Sequence, residues 1–194
     1  MSLNQFLFLL ILNICIINSI RLIDNDFFTP EMKNLIRKIN RLSFSTDNKT
    51  LMFILVRRLD NLIKSRIYER DEVPRDKYND IGERKKSIEK VDYGTYDIYS
   101  QEDVSFDRGY QVSFETSYDD YDSEEFDEIA YKMSLMTDNH IYIGIWSTGV
   151  ELSFHVDDFE LANVLCILYN QIAMYDWSVR DDINNQYYTE FNDY

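Results

Sequence analysis

The chain reads as an α+β protein: an N-terminal helical hairpin followed by a two-layer sandwich in which two helices cover a four-stranded, mainly antiparallel sheet. Three observations predict it. Apolar residues recur at helical spacing twice in the first third, alternate with polar residues in two later stretches, and each alternating stretch is followed by another helical pattern.

The first helix opens at Thr29-Pro30-Glu31, a hydroxyl cap, a proline at the first helical position and an acid in the first turn. Met32, Leu35, Ile36, Ile39 and Leu42 then make one apolar face, ending near Ser43. After a polar turn at residues 45–49, Met52, Leu55, Val56, Leu59, Leu62 and Ile63 form a wide stripe on a second helix running to about Arg70. Residues 71–100 are charged and poor in aliphatic side chains, with Pro74, Gly82 and Gly94 as punctuation, and read as a linker.

In the sandwich, Tyr110, Val112 and Phe114 alternate with Gln111 and Ser113 as a half-buried strand, and residues 104–106 with the turn Asp107-Arg108-Gly109 supply its expected hairpin partner. Acidic residues 122–125 start a helix with Phe126, Ile129, Ala130, Met133 and Met136 on one face, stopping near residues 137–139. A two-residue turn at Thr148-Gly149 would pair Ile145 with Leu152, Ile143 with Phe154 and Ile141 with Val156 on the apolar side. The polar side would pair Tyr142 with His155 and His140 with Asp157. Asp157 and Glu160 form a capping-box pattern before a last helix whose apolar positions continue through Ile172 to Tyr175. Residues 109–114 and 149–154 share Gly, Ser and Phe at matching positions, which suggests a duplicated ββα unit.

The domain order is therefore a leader at 1–19, a basic helical hairpin at 20–70, a charged linker at 71–100, an acidic α+β domain at 101–178 and an acidic aromatic tail at 179–194. The leader rests on residues 6–20, which carry no charge and are apolar except for Asn13, Asn18 and Ser19. Ser19 fits signal-peptidase cleavage after it, and the stretch is short for a spanning helix. Secretion, or passage to the lumen of the secretory pathway, is the expected address. A retained membrane anchor and an apolar core helix of an intracellular regulatory protein are the alternatives. Cys15 would leave with a signal, so Cys166, set in an apolar run, is expected to be buried. Asn48 heads the one glycosylation sequon, Asn48-Lys49-Thr50. The basic run from Arg84 to Lys86 offers a processing site.

The net charge of −15 conceals a partition. Residues 21–90 hold 17 Lys and Arg against 12 acids, and residues 91–194 hold 3 against 23. Such an acidic half repels phosphate backbones and anionic lipid, which argues against nucleic-acid binding and favours a protein partner of basic character. Any membrane contact would run through the N-terminal segment.

His155 is the strongest catalytic candidate, because it shares the polar strand face with Glu151, Asp157, Tyr142 and His140, and a histidine beside carboxylates can act as a general base or ligate a metal. A solvated sheet face is the simpler expectation, and no nucleophile motif, zinc spacing, phosphate loop or cofactor fingerprint accompanies the histidine. The acidic run at residues 118–125 places Tyr118 and Tyr121 as tyrosine-modification candidates, with calcium as a rival ligand, although the EF-hand order and its central glycine are missing. The expected function is that of a non-enzymatic interaction protein, exported or membrane-associated. A small hydrolase or nuclease-like enzyme built around His155 is the alternative.

Overall fold

A computed structural model describes residues 26–45, 48–70, 94–98, 100, 102–114, 123–137, 141–146 and 149–188. The leader, the greater part of the linker with its Arg84–Lys86 run, His140, Tyr118 and Tyr121 lie outside these residues.

Helices α1 (Pro30–Ser43) and α2 (Lys49–Arg70) form the expected hairpin. The Thr29 hydroxyl accepts from the Met32 amide at 3.3 Å, and Met32, Leu35, Ile36 and Ile39 are buried against Met52, Val56, Leu59 and Ile63 of α2. The strands are β1 (Gly94–Asp97), β2 (Tyr110–Ser113), β3 (Tyr142–Trp146), β4 (Gly149–Val156), β5 (Ala173–Asp176) and β6 (Asp181–Asn184). Helix α3 (Ser123–Thr137) precedes β3, and α4 (Phe159–Leu168) follows β4. All strand pairs are antiparallel, in the order β1-β3-β4-β2-β5-β6. The α+β architecture stands, with six strands among the described residues rather than four.

The extra strands come from segments read otherwise. Gly94–Asp97, at the end of the expected linker, pairs with β3. The last helix stops at Leu168 instead of Tyr175. Asn170 takes a left-handed φ of 49°, a conformation asparagine tolerates, and Ala173–Asp176 then pairs with β2. Its cap is Asp158, whose carboxylate accepts from Leu161 N at 2.8 Å, and not Asp157. Residues 104–106 do not pair with β2. The segment runs beside β1 instead, with Val104 N donating to Thr95 O at 2.8 Å and Asp97 N to Glu102 O at 3.0 Å. β1 and β2 are not neighbours whereas β3 and β4 are, so the two ββα stretches do not share one pairing.

The β3–β4 register is offset by two residues from the expected one: Ile143 faces Leu152, Ile145 faces Val150 and Tyr142 faces Ser153. Because the side-chain period is two, this shift leaves every side chain on its expected face while replacing every partner. Ile143, Leu152, Phe154 and Val156 accordingly enter the core with Ala162, Leu165 and Val112. The helical hairpin joins the same core cluster, and Asn163 of α4 donates to Asn40 Oδ1 at 2.8 Å and Ser43 Oγ at 3.0 Å of α1. The outer strand β6 carries Asp181 and Asp182, both exposed, and the Asp181 carboxylate accepts the Asp182 amide at 2.9 Å.

Candidate functional site

The register places the polar residues in rows across the second face of the sheet. Thr95, Gly144 and Glu151 form one row, Asp97, Tyr142, Ser153 and Ser113 a second, and His155, Gln111 and Tyr175 a third. This face is not the solvated surface expected. Thr95, Gln111, Ser153 and His155 are each no more than 4 % exposed. The segment 102–109 runs from beside β1 onto the third row, where Phe106 stacks on the His155 ring at 3.9 Å and meets Tyr142 and Trp177 edge-on, each at 5.4 Å.

Beneath that ring the polar groups form a chain. Trp177 Nε1 donates to Gln111 Oε1 at 3.2 Å, Gln111 Nε2 donates to Ser153 Oγ at 2.8 Å, and Ser153 Oγ lies 3.5 Å from the Tyr142 carbonyl. Both ends of the Gln111 amide are thereby engaged, as a buried amide requires. Ser113 donates to Glu151 in the neighbouring row.

His155 Nε2 sits 2.7 Å from the Arg108 carbonyl. A carbonyl only accepts, so Nε2 carries the proton and Nδ1 the lone pair in the neutral ring. Nδ1 is buried and has no hydrogen-bond partner. Burial pushes the imidazole below its ordinary value, which the Arg108 carbonyl and Asp157 oppose. Asp157 is held by the Arg108 guanidinium at 3.8 Å. The turn at Gly109, with φ of +92°, brings the backbone against the imidazole so closely that a Cβ there would lie 2.5 Å from Nε2. Glycine is thus required on two counts, its conformation and the space it leaves.

Of the sequence-predicted candidates, His155 and Tyr142 meet under Phe106, and Asp157 adjoins the same turn. Tyr142 faces Ser153, not His155. Its hydroxyl is pushed up to about 12 by burial and then by the charge of Asp97, so it is protonated at neutral pH. Glu151 lies four residues from His155 along β4, about 13 Å in an extended strand, too far to share a proton with it. Burial raises the Glu151 carboxyl above its usual range against the opposing Ser113 bond. Asn48 is exposed just ahead of α2. Cys166 is buried, as expected, and its thiol is pushed up to about 12 by burial.

Phe106, Gln111, Ser153 and Trp177 were not among the candidates. Gln111 and Ser153 were legible as residues of the polar strand face, but neither their burial nor the aromatic lid above them was. Among the described residues no group of three His, Cys, Asp or Glu could hold a metal ion, and no helix is long and apolar enough to cross a membrane. Comparison with known proteins gives no match to any family model, curated protein or solved structure.

Proposed function

We propose that the chain is an exported or membrane-associated, non-enzymatic interaction protein that presents its acidic α+β part to a basic protein partner. The observation that carries this reading is the closed polar face. His155 spends its Nε2 proton on the Arg108 carbonyl, its ring face is covered by Phe106, and Glu151 stands about 13 Å along the strand. These groups serve to anchor the 102–109 segment to the sheet. The charge of residues 91–194, 3 cations against 23 acids, favours a partner with a basic surface.

The test is expression of the full chain in a secretory cell, with the N-terminus and intact mass determined in medium and membranes. A product in the medium starting at Ile20 supports export. An intact Met1 in the cytosol refutes it.

A second reading, a hydrolase organised on His155, is favoured by one specific observation: the buried Nδ1 lone pair has no partner, the condition of a base awaiting a proton donor. It requires Phe106 to swing off the ring. His155→Gln with Phe106 intact separates the two, since loss of a hydrolytic activity without loss of folding would belong to the enzyme alone.

A further inference from the structure

The helical hairpin turns one face away from its buried stripes. Glu31 of α1 and Arg58 of α2 meet across that face at 2.5 Å, both exposed, and their contact fixes which rows lie side by side. Steps of three and four residues from Glu31 along α1 give Asn34, Lys38 and Arg41, and the same steps back from Arg58 along α2 give Ile54 and Leu51. All of these residues are exposed. Lys38 and Leu51 each lie seven residues, about 10 Å, from the Glu31–Arg58 contact and so stand level with one another.

Two properties set this face apart. Leu51 and Ile54 are 48 % and 58 % exposed, and Phe44 just after α1 is 69 % exposed, so three of the six exposed large apolar side chains among the described residues fall within eleven positions. Beside them, the side chains of Arg37, Lys38 and Arg41 have no ion pair or hydrogen bond among the described residues, whereas Arg58, Lys64 and Arg66 are paired. The two helices hold ten cations against three acids in a chain of net charge −15. Single exposed apolar residues are ordinary, but a group of them ringed by unpaired cations marks a contact surface. A convex row of side chains offers no groove to a peptide. It suits a partner that is anionic at its surface, apolar beneath and deformable.

The acids of the α+β part do not oppose such a partner. The other side of α1 places Asn40 and Ser43 against Asn163 of α4, so the outer row stands off from that part by the width of a helix, about 10 Å. Charges at that distance are largely screened at physiological salt, where the Debye length is about 8 Å.

We infer that this face of the hairpin docks on an anionic lipid bilayer, with Arg37, Lys38 and Arg41 among the headgroups and Phe44, Leu51 and Ile54 at the acyl boundary. The contact is separate from the leader and from the acidic surface, and the inference does not depend on export. Each cation near an anionic membrane strengthens partition by about fivefold.

The experiment places a bimane fluorophore on Leu51→Cys in the full chain with Cys15→Ser. Cys166 is 2 % exposed with its thiol pushed up to about 12, and stays unlabelled. Vesicles of phosphatidylcholine and phosphatidylserine are compared with vesicles of phosphatidylcholine alone, both carrying a lipid with a nitroxide at the acyl boundary. The expected result is quenching at position 51 on the anionic vesicles only, with partition lowered about 25-fold by Lys38→Gln with Arg41→Gln. A bimane on Val179→Cys of the acidic part should stay bright. No quenching at position 51 overturns the proposal, and so does equal quenching at position 179. Equal quenching at position 51 on the neutral vesicles also overturns it, because the contact then owes nothing to the cations. A spectral shift on polyglutamate with none on vesicles would assign the face to an acidic peptide and refute the bilayer.

Discussion

Replacing Gly109 by alanine tests the account of the covered sheet face at its tightest point. The backbone there has φ of +92°, and an L-residue forced into a left-handed conformation costs about 1–2 kcal/mol. The new methyl would sit 2.5 Å from His155 Nε2, 2.7 Å from Cε1 and 3.1 Å from the Val156 carbonyl. The imidazole, packed beneath Phe106, has to move. Its bond to the Arg108 carbonyl is then lost, about 1 kcal/mol net, and the stack with Phe106 is disturbed, about 0.5–1.5 kcal/mol. The sum is about 2.5–4.5 kcal/mol, a large part of the ~5–15 kcal/mol that holds a domain folded. Urea unfolding reads it directly: with a slope of about 1–3 kcal/mol per M the midpoint should fall by at least about 0.8 M. Gly94→Ala is the matched control. A Cβ there meets the end of the flexible Asp103 side chain at 3.2 Å, and the change should stay within about 0.5 kcal/mol of the parent. If Gly109→Ala is no more destabilised than Gly94→Ala, the clamp between the turn and His155 is not what holds residues 102–109 in place.

The buried imidazole gives stability a pH dependence. Its folded-state affinity for protons is depressed, so acidification below its unfolded value of 6.5 protonates the unfolded chain first and stability falls until the lower folded value is passed. His155→Gln should flatten that part of a urea-midpoint profile, and a slope equal to the parent's would refute the assignment. Glu151 acts in the opposite sense: its raised carboxyl loses stability as pH climbs from 4.5, so Glu151→Gln should be neutral or stabilising at pH 7. A marked loss of stability there would refute the desolvation argument. Phe106→Ala removes three aromatic contacts from a half-buried site, should cost about 1.5–3 kcal/mol and should change Trp177 fluorescence; an unchanged spectrum and midpoint would count against the lid. Cys166 should resist alkylation at neutral pH until the protein unfolds, and prompt modification of the native protein would contradict its burial.

What could be read from the sequence was which side of each element faces inward. Thr29-Pro30 marks the start of α1, and the apolar positions of α1, α2 and α3 fall in the core as spaced. What could not be read was which strand lies beside which. Alternation in β3 and β4 is satisfied equally by two registers that differ by two residues, so the faces came out right and the partners of Tyr142 and His155 wrong. Ile172 and Tyr175 continue the helical spacing past Leu168, yet the left-handed turn at Asn170 and pairing with β2 put that stretch in the sheet. Local pattern carries no information about a neighbour more than sixty positions away. The covered polar face depended on the same kind of long-range contact, because only folding brings Phe106 onto His155.

An open sheet has two outer strands, and each invites a passing chain to add itself and grow a fibre. Here one of them, β1, is flanked by residues 102–104, and at the other Asp181 and Asp182 place like charges where a second copy would dock, while the Asp181 carboxylate claims an amide hydrogen that a docking strand would need. This protection is electrostatic as well as steric, so its electrostatic part weakens as salt screens the like charges along β6.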